Sequence, residues 1–370
     1  MRAANITRRV LGQLLRPYPG VKRIAVAVEH QLQSARHSAA DVFPSLIQPT
    51  PYLMMISLTA HCNLRCVGCR YGRDFMPGHQ LSWEMTKELL DDAADAGYYL
   101  IRLYGGEPLI HPALPRIVEH CRHRALKPMV TTNAVLLKRR MDELFDAGLR
   151  DITVGMYGIG ADYDRYVQRS GSFAKVEESI AALRDKYGDQ IELQMNWLLM
   201  RPTCSVEKLH EAYAFAQKYR MVIRVDLVHY SLPYFSEGPD RCLQFTAEDR
   251  PAIERVTTEL LKLQAADPVR FRHSPEGMRS IPDWLVLGPE MRVPCTASEM
   301  VWVGPDGTVQ MCYVTFHLGN LHQRRFRDMV FTDGHKAAAQ AAWKLNCPNC
   351  HCSSNERVMR HAPSRRRYRT

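Results

Sequence analysis

The sequence predicts an α/β protein in which a parallel sheet is followed by a small, cysteine-rich C-terminal region. Apolar strand-like runs alternate with helix-like segments between residues 52 and 229, the pattern of a parallel sheet with right-handed crossovers. Polar or glycine-rich motifs follow these strands, where parallel folds place their ligands. Near the C-terminus, two alternating apolar runs around a Gly-Pro-Asp-Gly turn predict a hairpin flanked by cysteines.

The individual strands and helices are predicted from apolar runs and from residues that typically start or end a helix. The predicted strands are 53–58, 98–103, 127–130, 151–157, 191–199 and 222–229. Helices are expected over about 82–97, 137–147, 173–187 and 205–219. Ser82 is a suitable N-cap for the first of these helices, and Gly97 a suitable end. Six strand–helix units are too few for the eight-stranded barrel.

Composition and cysteine content limit the class of protein. The chain has 370 residues, of which 46% are hydrophobic, an ordinary value for a globular protein. No apolar run reaches 18 residues, and the N-terminal stretch lacks the apolar core of a secretion signal. Eleven cysteines in such a chain favour metal ligation over disulfides. We therefore expect a cytoplasmic protein in a reducing compartment.

The net charge of +10 is concentrated at the two ends of the sequence. Residues 1–23 carry six basic side chains and no acid, and six arginines lie from Arg357 onward. Such ends are expected to be solvated tails, with anionic lipid, nucleic acid or an acidic partner as alternatives. Segment 6–16 has an apolar helical face, which predicts a short helix on its own domain or, alternatively, peripheral contact with a membrane. Residues 1–50 are therefore assigned to a basic N-terminal extension.

The segment Cys-Asn-Leu-Arg-Cys-Val-Gly-Cys places thiols at Cys62, Cys66 and Cys69. Iron–sulfur clusters are normally held by four cysteines, so three leave one iron free to bind a reactant. A zinc site is the alternative, but structural zinc sites prefer paired knuckles and four ligands. A second motif, Tyr-Gly-Gly-Glu-Pro at 104–108, ends the second predicted strand, and its glycines allow the backbone to approach a ligand closely.

The CxxxCxxC spacing and the later Gly-Gly-Glu turn resemble the radical S-adenosylmethionine (SAM) superfamily. The resemblance implies a partial (β/α)6 TIM-type barrel over residues 51–235 and a [4Fe-4S] cluster whose open iron is chelated by the amine and carboxylate of SAM. In that family one electron cleaves SAM to a 5′-deoxyadenosyl radical, which takes hydrogen from an unactivated carbon. A flavodoxin or ferredoxin is the implied reductant.

The same resemblance implies a set of SAM-binding residues. They are Gly105, Gly106, Glu107, Thr132, Asn133, Tyr157 and Asn196. The Gly-Gly-Glu turn would receive the SAM amine, with the Glu107 carboxylate accepting from the ammonium. Two departures from the family pattern are visible. Gly68 replaces the usual aromatic residue before the third cysteine, so Tyr71 is a candidate cover, and the usual serine-bearing run at the end of the fourth strand reads Gly-Met-Tyr-Gly.

The C-terminal hairpin and its cysteines resemble the SPASM and shorter twitch domains, which implies an auxiliary [4Fe-4S] cluster. Five cysteines compete for four places: Cys295, Cys312, Cys347, Cys350 and Cys352. The first four are the expected ligands, and Cys352 is spare or a substitute. A zinc knuckle is the alternative. The expected domains here are a helical connector (236–290), the small iron–sulfur domain (291–356) and a basic tail (357–370).

The favoured function is a radical SAM enzyme acting on a small polar metabolite, such as a sugar or nucleotide derivative, by oxidation or epimerisation. Cys204 is the preferred hydrogen donor if the enzyme epimerises, with Cys242 a second candidate, and Asp226 is a candidate base. The alternatives are a peptide-modifying maturase, disfavoured by the short segment before the barrel, a lipid-modifying enzyme, and a metal-stabilised nucleic-acid-binding protein that is not an enzyme.

Overall fold

The computed structural model describes residues 19–236 and 242–370. Its described strands form one nine-stranded sheet in the order β6-β5-β4-β3-β2-β1-β7-β8-β9. The strands are β1 Leu53–Thr59, β2 Leu100–Gly105, β3 Lys127–Thr132, β4 Asp151–Met156, β5 Glu192–Leu199, β6 Val222–Leu227, β7 Met300–Val303, β8 Thr308–Gln310 and β9 His317–Asn320. The helix predicted at 6–16 lies outside the described residues.

Strands β1 to β6 are parallel and neighbour one another in chain order. All six strands predicted from the sequence are therefore present. The sheet does not close on itself, because β6 and β9 are its two edges. The expected open, partial barrel is confirmed, and the carboxyl ends of the six parallel strands gather on one side.

Helices connect and cover these strands. They are α1 Pro19–Ala40, α2 Trp83–Ala96, α3 Leu114–His123, α4 Leu137–Asp146, α5 Ala161–Val167, α6 Ser172–Tyr187, α7 Val206–Lys218, α8 Arg250–Ala266, α9 Pro275–Arg279, α10 Ile281–Leu287, α11 Asp333–Trp343, α12 Ser354–Arg360 and α13 Ala362–Arg367. Helix α2 begins as predicted, since the Ser82 hydroxyl accepts a hydrogen bond from the Met85 amide at 3.1 Å. It ends at Gly97, whose φ of 92° favours glycine. Helix α3 had no counterpart in the sequence prediction.

The C-terminal hairpin is an extension of the main sheet. Strands β7 and β8 pair antiparallel, as predicted, and β7 also pairs parallel with β1, with Met300 opposite Leu53. Strand β9 adds to β8 on the outer side. Backbone hydrogen bonds therefore fix the cysteines that flank the hairpin relative to the cysteine loop that follows β1.

The expectation that residues from 357 onward are a solvated tail fails at Arg357, because its segment is helical and its side chain is buried, whereas Arg365, Arg366 and Arg367 are exposed. Helices α12 and α13 contact α1, and Arg357 is 1% exposed. Its guanidinium donates to the carbonyl of Cys350 at 2.6 Å and to the side chain of Asn349 at 3.1 Å, and lies 4.6 Å from the Trp284 ring centroid. A charge in this position is buried because its donors are satisfied.

The parallel strands divide the interior into an apolar and a polar side. Met54, Ile56 and Leu58 of β1 are completely buried among the surrounding helices. The opposite side of the sheet bears charged and polar residues on β2, β5 and β6, which face the inside of the open barrel. Among the described helices, none is long and apolar enough to cross a membrane.

Candidate active site

Three thiols in the loop after β1 line one large cavity. Cys62, Cys66 and Cys69 face a space of about 480 Å³ at the carboxyl ends of the parallel strands. Burial raises the pKa of Cys62 to about 12 and also raises the pKa of Cys66 and of Cys69. Thiolates in this place need a cation to balance their charge, and metal binding supplies one.

The three thiols share one wall of this cavity, with open space in front of them. A four-iron cluster binds each thiolate through a separate iron, so thiols around a shared cavity wall suit it.

The Gly-Gly turn after β2 packs directly on the backbone of this cysteine loop. The Gly106 amide donates to the Thr59 carbonyl at 2.8 Å. Gly105 has a φ of 135°, and a Cβ on it would lie 2.5 Å from the same carbonyl oxygen. A Cβ on Gly106 would clash with the carbonyl of His61. Only glycines allow this approach, so the turn and the cysteine loop form one unit that lines the cavity.

Glu107 lies behind the cavity wall, away from the lining. It is completely buried, and its carboxylate accepts from the amide of Leu109 at 3.0 Å, the hydroxyl of Thr132 at 2.7 Å and the amide of Asn133 at 2.9 Å. Burial raises its pKa to about 7, and these hydrogen bonds act in the opposite direction. The sequence interpretation placed this carboxylate at the ligand ammonium, whereas the structure uses both of its oxygens to join the ends of β2 and β3.

Polar side chains at the ends of β3 and β5 line the cavity as expected. Thr132, Asn133 and Asn196 all face it. The Asn133 side-chain amide donates to Asn63 of the cysteine loop at 2.8 Å. The Asn196 amide donates to Asp226 at 2.8 Å, while its buried Oδ1 has no hydrogen-bond partner among the described residues. A buried acceptor without a partner is suited to a ligand hydroxyl, and contact of these residues with SAM stays a prediction.

Tyr157 takes the place at the end of β4 where the sequence lacks the usual serine. Its ring lies 4.5 Å from that of Tyr166, and both residues line the cavity. A Cβ on Gly155 would lie 2.5 Å from the Tyr157 hydroxyl, so this glycine makes room for the tyrosine to fold back over its own strand. The structure thus brings Tyr157 to the wall of the large cavity, and contact of its hydroxyl with SAM stays a prediction.

The missing aromatic side chain at Gly68 is matched by a ring from a distant segment. A Cβ on Gly68 would lie 2.7 Å from the Phe235 ring, which occupies the space. The Ser236 amide donates to the Gly68 carbonyl at 2.7 Å, and Cys69 forms an isolated bridge with Phe235. Tyr71, the predicted cover, also lines the cavity, but its hydroxyl is hydrogen-bonded to Ser57 at 2.9 Å. The chain after β6 therefore covers the cysteine loop.

Charged side chains form the floor of the same cavity. Arg102 on β2, together with Arg224 and Asp226 on β6, reaches it from opposite sides of the open barrel. Burial alone would raise the pKa of Asp226, but His229 and the two arginines outweigh it and hold the pKa below its ordinary value. Asp226 is therefore a carboxylate at neutral pH, with one oxygen bound to Asn196.

The five C-terminal cysteines come together in a second, much smaller cavity. Its volume is about 20 Å³, and all five thiols line it: Cys295, Cys312, Cys347, Cys350 and Cys352. Arg357 also lines it. Cys352 lines the large cavity as well, so this residue lies in the wall between the two spaces. The structure thus gathers the predicted auxiliary ligands, and the choice of four among five stays a prediction.

Two cysteines proposed as hydrogen donors are not placed for that role. Cys204, after β5, is not among the residues that line the large cavity, and its pKa is raised to about 12 by burial and then by the nearby Asp249. Cys242 is exposed. Sequence position put both on the correct side of the sheet, but neither is among the described residues that line the large cavity. Apart from the three cysteines after β1, Cys352 is the cysteine that the described lining contains.

Sequence reasoning missed the two arginines of the floor. Both interrupt apolar strands, in Leu-Ile-Arg-Leu for Arg102 and Val-Ile-Arg-Val for Arg224. A charged residue at such a position must face a cavity or a partner, and this signal was available.

Comparison with known proteins agrees with this site. Residues 56–201 match the Radical SAM superfamily. A GTP 3′,8-cyclase of Marinobacter nauticus is 26% identical over 305 residues, covering 81% of this chain and 90% of that protein. An Fe-coproporphyrin III synthase of Methanosarcina barkeri is 33% identical over 138 residues, 37% of this chain and 33% of that protein. The chain spans only 56% of the probable GTP 3′,8-cyclase of Methanococcus maripaludis strain C5.

Solved structures share the fold at low sequence identity. Native anSMEcpe with bound AdoMet and the Cp18Cys peptide has a TM-score of 0.62 at 15% identity, covering 80% of this chain and 84% of that one. SuiB of Streptococcus suis bound to the precursor peptide SuiA has a TM-score of 0.61 at 14% identity, covering 84% and 71% respectively. The family binds a [4Fe-4S] cluster and SAM. With three thiols, a glycine turn and the family match in the same place, residues 56–201 form a Radical SAM domain, which a cysteine-rich region follows nearer the C-terminus.

Proposed function

We propose that this protein reductively cleaves SAM at the large cavity and removes hydrogen from a small polar metabolite bound on the charged floor. The observation that carries the proposal is the continuity of one cavity, from Cys62, Cys66 and Cys69 at one end to Arg224 and Asp226 at the other. When bound, the cluster and SAM supply a 5′-deoxyadenosyl radical. A substrate on the floor would then share the same space as the source of the radical.

The charge pattern of the floor supports a polar substrate. The Arg102 Nε donates to the Thr131 hydroxyl at 2.7 Å, and no hydrogen bond from its terminal nitrogens is found within the described residues. Arg224 interacts with Glu356 and Asp226 through charge alone. Within the part of the chain that the structure describes, no hydrogen bond is found for the Arg224 guanidinium or for the second Asp226 oxygen, so these groups are suited to bind a ligand. A substrate with hydroxyl, amide or ionised groups would satisfy them, whereas an apolar one would leave them without partners.

Asp226 on the floor and Cys352 in the wall between the two cavities are the residues suited to a role in oxidation. Loss of hydrogen leaves a substrate radical, and oxidation then removes one electron and one proton. Asp226 is held as a carboxylate, so it is placed to accept that proton. The C-terminal thiols would hold the electron acceptor, and Cys352 lies between them and the large cavity. The net change is a two-electron oxidation of the substrate. Epimerisation would instead need a hydrogen donor, and Cys204 is not placed to supply it.

The names of the similar proteins point to two kinds of substrate, a nucleotide and a peptide. The curated relatives include cyclases named for GTP, with 26% to 30% identity, whereas the peptide-bound neighbours have 14% to 15%. The sequence likeness therefore favours a small nucleotide-like or sugar-like substrate over a peptide. This preference agrees with the charged floor.

The test is anaerobic reconstitution with iron and sulfide, followed by reduction and addition of SAM. We expect release of 5′-deoxyadenosine and methionine. Deuterated nucleotides, sugars and a peptide would then be compared by transfer of deuterium into 5′-deoxyadenosine. Transfer from a small polar compound supports the proposal, while transfer from the peptide alone overturns the substrate class. Absence of 5′-deoxyadenosine in a cluster-loaded protein overturns the whole proposal.

The Asp226→Asn variant tests the role of the floor. Asp226 touches neither the cysteine loop nor the Gly-Gly turn, so we expect SAM cleavage within about threefold of the native rate. Oxidised product should fall by about 10² to 10⁴, the usual contribution of a positioned base. An Asp249→Asn variant is the matched control, since Asp249 lies outside the cavity lining. Equal product yields from the two variants would show that Asp226 is not the base.

A further inference from the structure

The cysteine loop after β1 has an outer side that reaches the surface close to the thiols. Gly72 is exposed, and a Cβ on it would lie 3.1 Å from the Cβ of Cys62. A single layer of backbone therefore separates Cys62 from solvent on this side. The inner side of the same loop presents its three thiols to the large cavity. An electron that arrives from outside the protein has a short path to the thiols through this part of the surface.

Three arginines lie on the outer side of the loop, and we name them the arginine patch. They are Arg65, Arg73 and Arg169, which are all exposed and do not line the large cavity. The Arg73 guanidinium donates to the carbonyl of Arg65 at 2.5 Å and to that of Cys66 at 3.3 Å. The Arg169 guanidinium donates to the carbonyl of Asn63 at 3.3 Å. Two segments that are distant in the sequence thus place positive charge on the backbone of the cysteine loop.

The charge of the arginine patch is not neutralised within the described residues, where no acid forms an ion pair with it. The acids nearest to it in the sequence have other partners: Asp74 pairs with Arg70 at 3.1 Å, Asp162 pairs with Lys208 at 2.8 Å, and Asp164 accepts from the Phe173 amide at 2.8 Å. Exposed guanidinium groups without a carboxylate partner are suited to bind carboxylates of another molecule.

We propose that the arginine patch docks a small acidic electron-transfer protein that delivers electrons to the site of the three thiols. The inference rests on the proposed reductive cleavage of SAM, which needs one electron from outside the protein. The donor loses this electron and the iron–sulfur site gains it, without a bond being formed or broken. Because electron transfer slows steeply with distance, the donor should dock where the wall is thin. Complementary charge would steer its carboxylates onto the patch.

Nucleic acid is the other polyanion that exposed arginines could bind, and the surface around the patch does not favour it. Proteins that bind single strands usually stack bases on aromatic side chains. Among the described residues, the exposed phenylalanine and tyrosine side chains are Phe43, Tyr52 and Tyr99, and none belongs to the cysteine loop or α5. An acidic protein needs no such stacking, since its carboxylates pair directly with guanidinium groups.

The test uses the full chain, purified anaerobically with its clusters, and a reduced acidic flavodoxin as the electron donor. Arg65→Glu reverses one charge of the patch, and the Arg65 side chain makes no hydrogen bond within the described residues, so the fold should be retained. We expect flavodoxin-driven release of 5′-deoxyadenosine to fall about tenfold at low salt, with a smaller difference as salt rises. Arg365→Glu is the matched control, because Arg365 is exposed on α13.

Two further measurements separate docking from the reaction itself. With dithionite, a small reductant that needs no docking surface, Arg65→Glu should release 5′-deoxyadenosine within about twofold of the native rate. Isothermal titration calorimetry should show about tenfold weaker binding of flavodoxin to Arg65→Glu, a readout that does not depend on activity. If the native protein released no 5′-deoxyadenosine even with dithionite, the proposed function would fail, while the calorimetry would still decide the docking surface.

Three results would overturn the docking proposal. Equal losses of flavodoxin-driven release in Arg65→Glu and Arg365→Glu would show that only the net charge of the protein matters. Flavodoxin binding that changes neither with salt nor in Arg65→Glu would place the donor on another surface. Binding of a single-stranded RNA oligonucleotide instead of flavodoxin, weakened in Arg65→Glu, would assign the patch to nucleic acid.

Discussion

The two cysteine sites of this protein differ in how much room they leave. The thiols after β1 line a cavity of about 480 Å³, whereas the five C-terminal thiols enclose about 20 Å³. The first loop is held by glycines that allow backbone to touch backbone, and the second by the buried Arg357 side chain. The comparison indicates that an open site supports binding of a reactant and an enclosed one supports structure or electron transfer.

The largest effect is expected at the open site. Replacing Cys66 by alanine leaves a cluster with two protein ligands in this loop, so SAM cleavage should fall by about 10³ or more. Release of 5′-deoxyadenosine by the reduced, reconstituted protein measures the effect, and iron content shows whether the cluster is lost. Cys121→Ala is the control, because Cys121 is fully buried at α3 and lines neither cavity. Unchanged cleavage in the Cys66 variant would contradict the assignment.

The enclosed site should behave differently. Cys350→Ala should remove the C-terminal cluster yet leave SAM cleavage within about tenfold, while oxidised product falls by about 10² or more. Iron per chain and product formation are the two measurements. Cys352→Ala then sharpens the comparison, because it should retain the C-terminal iron if Cys352 is the spare thiol. If the Cys350 variant instead lost cleavage as completely as the Cys66 variant, the two sites would not be functionally distinct.

The buried carboxyl group of Glu107 joins the open site to the strands behind it. Its titration should make the stability of the fold depend on pH. Glu107 has a pKa of about 7 in the fold against an ordinary value of 4.5, so the fold favours its protonated form. Its contribution to stability is full below about pH 4.5 and is lost as the pH rises through 7. That shift corresponds to roughly 3 kcal/mol in the free energy of unfolding.

Glu107→Gln should therefore lose most of this pH dependence, whatever its absolute stability, because glutamine does not titrate. Melting temperatures at pH 5 and pH 7.5 measure the difference. Glu211→Gln, an exposed glutamate on α7, is the control and should keep the native pH dependence. If the melting temperature of the Glu107→Gln variant changed with pH as much as that of the native protein, other groups would dominate the pH dependence between pH 5 and pH 7.5.

The sequence predicted the fold well because its signals were local. The six parallel strands, the Ser82 cap and the hairpin with β7 and β8 are set by short-range patterns, and all are present. The three thiols and the Gly-Gly turn were found because they lie in contiguous motifs. The structure adds the reason for the glycines, which is the close approach of the two loops.

The differences between these expectations and the structure have a common physical cause, since each depends on contacts between distant segments. Arg357 was assigned to a solvated tail from charge alone, but its donors are satisfied by carbonyls and Asn349 in the core. Glu107 was assigned to the ligand from its motif, but the end of β3 supplies its partners. Cys204 was placed correctly along the chain, yet the turn after β5 carries it away from the cavity. Such contacts between segments that are distant in the chain are not visible in the linear sequence.

The smallest effect we predict concerns the cover of the open site. Phe235 fills the space that Gly68 leaves beside the third cluster thiol, and it lines the cavity. An aromatic face there can stack on a purine, a contact worth about 1 to 3 kcal/mol. Phe235→Ala should therefore weaken SAM binding about tenfold, measured by titration of the cluster spectrum, with iron content unchanged. Phe43→Ala, which removes a ring that is 62% exposed, should leave the affinity unchanged.

The double variant separates packing from backbone strain. Gly68 has a φ of 76°, so Gly68→Ala carries some strain in any background, and with Phe235 present its Cβ also meets the ring at 2.7 Å. Gly68→Ala should thus lower the melting temperature more in the native background than together with Phe235→Ala. Such coupling shows that the ring and the glycine share one space. Additive effects would mean that the ring lies elsewhere, and that the open site is covered by Tyr71 as its sequence position first indicated.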